Sequence, residues 1–161
     1  MKKLFASALL GLGTLLLSAS VSAHSYSGSG TWKATGGTSG TYTATLTSNH
    51  QTDGSMLVNK SYTTSDGKTK SFQFTVNKMD DTFFTISSGG ATIGGGYCWP
   101  SPHHAGAKLC HYGLHNADGA KIEETLDIST AGIHRMGHKW DPNTQQAVTW
   151  LDDLSPTGVI K

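Results

Sequence analysis

Apolar and polar side chains alternate with a period of two along most of the chain. In TYTATLT, Tyr42, Ala44 and Leu46 fall on one face and threonines fall on the other. SFQFTVN repeats the pattern with Phe72 and Phe74, and KIEETLDI repeats it later in the chain. A period of two is typical of strands with one buried face, so these runs predict β-strands rather than helices.

Turn sequences separate the alternating runs. Pairs such as Asp53-Gly54 and Asp118-Gly119 suit the backbone of tight hairpin turns. The predicted strands are 25–34, 40–48, 55–63, 69–78, 82–87, 91–98, 107–115, 119–128, 132–140 and 145–151. The run 132–140 also fits a short helix with Ser129 or Thr130 as its N-cap. A long meander with one apolar face closes to remove its edges, so we expect an all-β, single-domain antiparallel up-and-down barrel of about 8–10 strands.

The first 23 residues have the pattern of a secretory signal peptide. Lys2 and Lys3 precede an apolar run that is too short to span a bilayer, and the segment ends in the small residues Val21-Ser22-Ala23. We therefore expect signal peptidase to remove residues 1–23. Residues 24–161 then form the barrel domain, in the periplasm or outside a bacterial cell.

The charge of the chain is nearly balanced, with 12 Lys and Arg against 11 Asp and Glu. Arg135 is the only arginine. Nucleic acids and anionic membranes recruit proteins with an excess of basic residues, so neither is expected as the main partner. After the signal peptide, no apolar run is long enough to span a membrane as a helix. We expect a small molecule, a metal ion, or an envelope or other protein as the partner.

Both cysteines, Cys98 and Cys110, flank or lie in neighbouring predicted strands. Export places them in an oxidising compartment, where two cysteines of one chain form a disulfide. The bridge would staple the loop 99–106, and closing a loop near this size stabilises by about 3 kcal/mol in the chain-entropy model. Zinc ligation by the two thiolates is the alternative, which an oxidising compartment disfavours.

The tripeptide Gly30-Thr31-Trp32 lies on the first predicted strand of this exported meander. It resembles the G-x-W signature of the calycin superfamily, which includes lipocalins, fatty-acid-binding proteins and avidins. The resemblance implies that Trp32 closes one barrel end, with a basic residue, Arg135 or Lys139, packed on its ring. Lipocalins also have a helical turn before this strand and a helix after the barrel, and neither is visible in this sequence.

Six of the eight histidines lie between His103 and His138. Residues four apart, such as His134 and His138, are about 13 Å apart on a strand, too far to share an ion, but about 6 Å apart on a helix. His134 and Met136 would share one face about 7 Å apart, which suits copper. The candidate ligands for copper or zinc are His103, His104, His111, His134, Met136 and His138. The alternative is that these histidines only hydrogen-bond to their neighbours at polar strand ends.

His24 is a separate copper candidate. Cleavage after Ala23 would leave His24 with a free α-amine, and an amine and an imidazole of one residue chelate copper together. A cut at a neighbouring bond would remove this chelate.

Candidate ligand-binding residues are expected on the inward strand faces: Trp32, Phe72, Phe74, Glu124 and Arg135. Glu124 is unusual because it shares the apolar face of its strand with Ile122 and Leu126. A carboxylate there lies either at a strand end, the commoner placement, or in a cavity where it pairs with a ligand or a histidine. Gly94-Gly95-Gly96 falls within a strand pattern and indicates a bulge or a thin barrel wall.

These observations favour a protein that binds rather than catalyses, because no G-x-S-x-G, H-E-x-x-H or phosphate-binding glycine loop occurs. The first hypothesis is a carrier or sensor of a small apolar ligand or a transition metal. The second is a secreted interaction or inhibitor protein that uses the stapled 99–106 loop, and the third is an enzyme with a histidine base in the barrel mouth. A cavity lined by Phe72, Phe74 and Leu126 would favour the first, and a filled barrel with an exposed Trp99 the second.

Overall fold

Ten antiparallel strands form one closed sheet. The computed structural model describes residues 23–160. The strands are β1 (Ala23–Ala34), β2 (Ser39–His50), β3 (Met56–Thr64), β4 (Thr69–Lys78), β5 (Phe83–Ser88), β6 (Ala91–Pro100), β7 (Lys108–His115), β8 (Lys121–Ile128), β9 (Ile133–Asp141) and β10 (Gln146–Ile160). Each strand pairs with its neighbours in sequence, and β1 pairs with β10 to close the barrel. This is the predicted antiparallel up-and-down barrel, and it is consistent with a lipocalin-like barrel.

The up-and-down order gives the barrel two different ends. Five hairpin turns, at 35–38, 65–68, 89–90, 116–120 and 142–145, lie at one end, which we call the open end. The turns 51–55, 79–82, 101–107 and 129–132 lie at the other, which we call the filled end. The predicted Asp-Gly turns are present, and Gly54 and Gly119 have φ angles of 84° and 82°, which glycine adopts without strain.

The predicted alternation decides which side chains enter the barrel. Tyr42, Ala44 and Leu46 are all buried, whereas the threonines between them are exposed. Apolar side chains from every part of the sheet pack together toward the filled end: Leu46, Val58, Ile86, Cys110, Leu126, Ile133 and Leu154. This packing closes the filled end without a helix, and none is present in residues 23–160.

Two strands differ from the sequence-based expectation. The segment 132–140 is strand β9 and not a helix, because its residues pair with both β8 and β10. Strand β10 continues to Ile160, nine residues beyond the predicted end at 151. Pro156 fits into this longer strand because the register between β1 and β10 shifts beside it, and proline, which lacks an N–H, is tolerated at such irregularities.

Cys98 and Cys110 face each other on β6 and β7 and form the predicted disulfide, with their Cα atoms 4.1 Å apart. The bridge uses both cysteines, so the alternative of zinc ligation by their thiolates is wrong. The predicted bulge near Gly94 is present as a register shift between β5 and β6. The predicted signal peptide lies outside the described residues apart from Ala23, and residues 23–160 contain no helix capable of crossing a membrane.

Candidate functional site

A cavity of about 1130 Å³ occupies the open half of the barrel. Seven aromatic side chains line it: Trp32, Tyr42, Tyr62, Phe72, Phe74, Tyr112 and Trp150. Polar residues of the open-end strands and turns, including Lys70, His115 and Asp118, form its rim. Cavities that enclose drug-sized ligands measure roughly 300–1,000 Å³, so this one has room for a molecule at the upper end of that range.

The structure brings together all five candidate ligand-binding residues. Trp32, Phe72, Phe74, Glu124 and Arg135 lie on four strands, with both phenylalanines on β4, and each lines the cavity. Leu126 does not line it, because it lies one inward position closer to the filled end than Glu124 and packs in the core there. Ligand binding by these residues stays a prediction.

The bottom of the cavity is a layer of six polar side chains, which we call the polar floor. It consists of Tyr42, Lys60, Tyr112, Glu124, Arg135 and Asp152. These residues come from six strands, and pairing across the barrel brings their inward side chains to one level. The layer separates the apolar filled end from the cavity.

One half of the polar floor surrounds Glu124, which is 3% exposed. Lys60 Nζ lies 2.6 Å from Glu124 Oε1 and 2.5 Å from Oε2. The Tyr112 hydroxyl donates a hydrogen bond to Glu124 Oε2 and accepts one from Lys60 Nζ at 3.0 Å. Glu124 is therefore a paired and hydrogen-bonded buried carboxylate, as burial of a charge requires.

The other half surrounds Asp152, which is 2% exposed. Arg135 Nε donates to Asp152 Oδ1 at 2.9 Å, and Arg135 Nη2 donates to Oδ2. The Tyr42 hydroxyl donates to the same Oδ2 at 2.6 Å. Arg135 Nη1 lies 3.6 Å from Glu124 Oε1, so the guanidinium connects the two halves electrostatically.

The polar floor is electrically balanced, with two cations and two carboxylates. Burial acts to raise the pKa of Glu124, but the charges of Lys60 and Arg135 and the hydrogen bonds from Lys60 and Tyr112 outweigh it, so the pKa lies below its usual value. Burial, reinforced by Asp152 and Glu124 respectively, raises the pKa of Tyr42 and Tyr112. Both phenols therefore remain neutral hydrogen-bond donors at physiological pH.

Two expectations about the interior are wrong. Glu124 does not lie at a strand end, the commoner placement for a carboxylate, because the register pairs it with Tyr112 and Gly137 in mid-sheet. Trp32 faces the barrel interior near the open end but is only half-buried, and among residues 23–160 no cation lies on its ring. Arg135 is held by Asp152 instead, and Lys139 lies 3.8 Å from Asp118.

The candidate metal ligands are dispersed on the outside of the barrel. His111 on β7 is hydrogen-bonded to Thr125 on β8, and strand β8 separates His111 from Met136 on β9. His134 lies 2.6 Å from Asp153, and His138 lies 3.6 Å from Glu123. His103 and His104 are exposed in the 101–107 turn. In the described part of the chain, no three His, Cys, Asp or Glu side chains are grouped to hold an ion, and metal binding stays a prediction.

His24 has one histidine neighbour. The centroids of the His24 and His50 rings are 6.1 Å apart at the filled end of the barrel. Copper binding by the α-amine and imidazole of His24 depends on cleavage after Ala23 and stays a prediction.

Four residues of the polar floor were not singled out from the sequence as site residues: Tyr42, Lys60, Tyr112 and Asp152. A signal for Lys60 exists, because Val58, Lys60 and Tyr62 alternate onto one face of MLVNKSYTT. Asp152 has the same signal, since it follows Val148 and Trp150 at alternate positions. In both runs, a charge at an inward position marks a buried polar site rather than the end of the strand.

Comparisons with protein families, with curated proteins and with solved structures find no match to this chain. The likeness to calycins therefore rests on the barrel and on Gly30-Thr31-Trp32. A fold of this kind hosts many unrelated functions, so the function has to be argued from the cavity.

Proposed function

We propose that this protein is a small exported β-barrel that binds one molecule of a largely apolar ligand inside its open half. The observation that carries the proposal is the cavity of about 1130 Å³, which has aromatic walls and a polar floor and opens at one end. Apolar cavities with a few convergent polar groups are typical of small-molecule sites. The disulfide and the signal-peptide pattern support action in the periplasm or outside the cell.

A neutral fluorescent dye tests the proposal. N-phenyl-1-naphthylamine should bind with 1:1 stoichiometry and a Kd in the micromolar range, and its emission should rise as it leaves water. Phe72→Ser replaces a wall residue of the cavity and should weaken binding by about tenfold, since burying a phenyl ring contributes on the order of 1.5–3 kcal/mol.

The matched control is Phe83→Ser, because Phe83 is 52% exposed on the outer wall of β5 and does not line the cavity. It removes the same ring from the outer surface and should leave the affinity unchanged. Absence of saturable dye binding, or equal weakening by both variants, would exclude the interior as the binding site.

A second candidate function is that of a secreted interaction or inhibitor protein acting through the stapled 99–106 loop. The observation that favours it is Trp99, which is 41% exposed and stacks on Tyr97 with ring centroids 4.7 Å apart. Trp99 lies at the end of β6, next to the 101–107 turn, and exposed aromatic rings are common anchors in protein interfaces. Trp99→Ala separates the two candidates, because it removes this anchor but should not change dye binding in the cavity.

A further inference from the structure

We propose that the ligand carries a neutral hydrogen-bond acceptor, such as a ketone, ester or amide carbonyl, and that Arg135 binds this acceptor at the polar floor. This inference rests on the proposed function, since it names the class of molecule that the cavity takes. The inference rests on which hydrogen-bonding groups of the polar floor are occupied and which remain free.

The carboxylates of the polar floor are already occupied. Both oxygens of Glu124 accept hydrogen bonds from Lys60, and Oε2 also accepts one from Tyr112. Both oxygens of Asp152 accept hydrogen bonds from Arg135, and Oδ2 also accepts one from Tyr42. Asp152 does not line the cavity. The two carboxylates therefore offer a ligand little capacity to accept hydrogen bonds, and the other acceptor of the polar floor is the hydroxyl oxygen of Tyr42, a residue that lines the cavity.

Donors of Arg135 remain free. A guanidinium carries five N–H groups, and Arg135 uses one on Nε and one on Nη2 for Asp152. Within residues 23–160, the hydrogen bonds of Arg135 come from Nε and Nη2 alone, and Nη1 lies 3.6 Å from Glu124 Oε1, too far for a hydrogen bond to that oxygen. Arg135 lines the cavity, and Nη1 is not among the polar atoms sealed off without a partner, which are Trp32 Nε1 and Asp127 Oδ1. Lys60 is different, because its three N–H groups already have Glu124 and Tyr112 as partners.

Charge balance selects a neutral acceptor over an anion. The four charges of the polar floor already cancel, so a bound carboxylate would add an uncompensated negative charge in a desolvated site close to Glu124. An ammonium head would meet Lys60 and Arg135 without a free carboxylate to accept its protons. An alcohol can accept from Arg135, but it must also place its own O–H, for which the polar floor leaves the Tyr42 hydroxyl oxygen rather than a free carboxylate. A carbonyl satisfies the free N–H groups without leaving a donor of its own unpaired.

Five naphthalene probes with one body and different heads test the inference by competition with the dye. They are 2-acetonaphthone, 2-ethylnaphthalene, 2-naphthalenemethanol, 2-naphthoate and 2-naphthylmethylamine. We expect 2-acetonaphthone to bind best, and at least about tenfold more tightly than 2-ethylnaphthalene, which has a methylene where the ketone has its carbonyl. If none of the five displaces the dye and the dye itself does not bind, the proposed function fails. If all bind equally, or the acid or the amine binds best, the proposed function stands and this inference is wrong.

Two double variants locate the effect. Arg135→Met with Asp152→Asn removes the free donors while leaving Tyr42 an amide oxygen to donate to, and it should abolish the preference for 2-acetonaphthone over 2-ethylnaphthalene. Lys60→Met with Glu124→Gln changes the other half of the polar floor in the same way. In that variant absolute affinities will change, but the preference should persist, and loss of the preference there rather than in the Arg135 variant would refute the assignment.

A spectroscopic measurement on the unaltered protein does not depend on the folding of either variant. The carbonyl stretch of bound, ¹³C-labelled 2-acetonaphthone should move to lower frequency than in hexane, because donation from a guanidinium weakens the C=O bond. A stretch at the hexane frequency in the bound state would show that the carbonyl has no donor and would overturn the inference.

Discussion

Lys60 and Glu124 form an ion pair that is almost completely removed from solvent, with side chains 11% and 4% exposed. Removing one member of a buried pair leaves the other charge without compensation, which typically costs about 3–5 kcal/mol. We expect Lys60→Met to lower the free energy of unfolding by about that amount. The double variant with Glu124→Gln should be more stable than this single variant, because no unpaired carboxylate remains. Urea denaturation measures the free energy of unfolding of both variants.

Lys78→Met is the matched control for this comparison. Lys78 lies 2.6 Å from Asp81, but the two side chains are 61% and 97% exposed, so water compensates for the loss of either. The free energy of unfolding should stay unchanged within the error of the measurement. A Lys60→Met variant as stable as this control would show that Glu124 is not held as a charged group inside the barrel.

The protonation of Glu124 adds a dependence of stability on pH. Its pKa in the folded protein lies below the usual value of 4.5, so the folded state binds its proton less readily than the unfolded state does. The resulting stabilisation is complete above pH 4.5 and is lost as the pH falls through the folded-state pKa. We expect the urea midpoint to fall more steeply between pH 5 and pH 3 for the unaltered protein than for Glu124→Gln. Parallel curves of the urea midpoint against pH for the two proteins would contradict this expectation.

At the level of single residues, the alternation of inward and outward side chains along a strand explains why the cavity residues lie inside the barrel and the candidate metal ligands outside it. Arg135 points inward, so His134 and Met136, its neighbours on β9, point outward. Cys110 and Tyr112 point inward, so His111 between them points outward. The sequence contained this information, because Arg135 and His134 cannot both face one site on a regular strand. The dispersal of the histidines could therefore have been predicted, once 132–140 was identified as a strand.

Among the strands, the predictions were accurate wherever alternation was regular. Together with the turn pairs that contain glycine, alternation places most predicted strand ends within two residues of the observed ends, because both are local signals. Strand β10 is the exception: a carboxylate at the inward position 152 interrupts the apolar pattern, and the strand was predicted to end just before it. Its partner Arg135 lies on β9, so only the register between those strands explains why Asp152 is buried.

The glycines of β6 set how closely β5, β6 and β7 approach. A Cβ atom at Gly96 would lie 2.2 Å from the His111 carbonyl oxygen and 2.6 Å from Tyr112 Cβ. Gly96→Ala should therefore push β6 and β7 apart beside the disulfide and lower the free energy of unfolding by about 1–3 kcal/mol, as other overpacked sites do. Thermal or urea unfolding with the disulfide intact measures the change.

Gly113→Ala provides the matched control on the neighbouring strand. A Cβ atom there would meet nothing closer than 3.7 Å, and the position faces outward. We expect a change of about 0.5 kcal/mol or less, since alanine fits without displacing its neighbours. Equal losses in the two variants would mean that glycine is required for backbone freedom along the whole wall rather than for the close approach at Gly96.

For the whole molecule, the barrel was predictable but the polar floor was not. Its six side chains come from β2, β3, β7, β8, β9 and β10, and they meet only because the strands close into a barrel with a particular register. Local patterns predict that a residue such as Lys60 points inward, but they do not say which residues lie opposite. The free energy of moving a charge from water into the protein interior would keep all four charged side chains on the outer surface. They are buried because closure of the barrel brings each of them next to a group of opposite charge.

The unequal ends of the barrel imply that a ligand reaches the cavity from one side. Ala117 is exposed in the 116–120 turn and lines the cavity at the open end, whereas Ala131 is exposed in the 129–132 turn at the filled end. We expect Ala117→Trp to slow association and dissociation of N-phenyl-1-naphthylamine in stopped-flow fluorescence, because an indole at the rim narrows the opening. Ala131→Trp adds the same ring behind the packed core and should change neither rate. Slowing by Ala131→Trp alone would place the route through the filled end, and the core formed by Leu46, Ile86 and Leu154 would then have to open for each binding event.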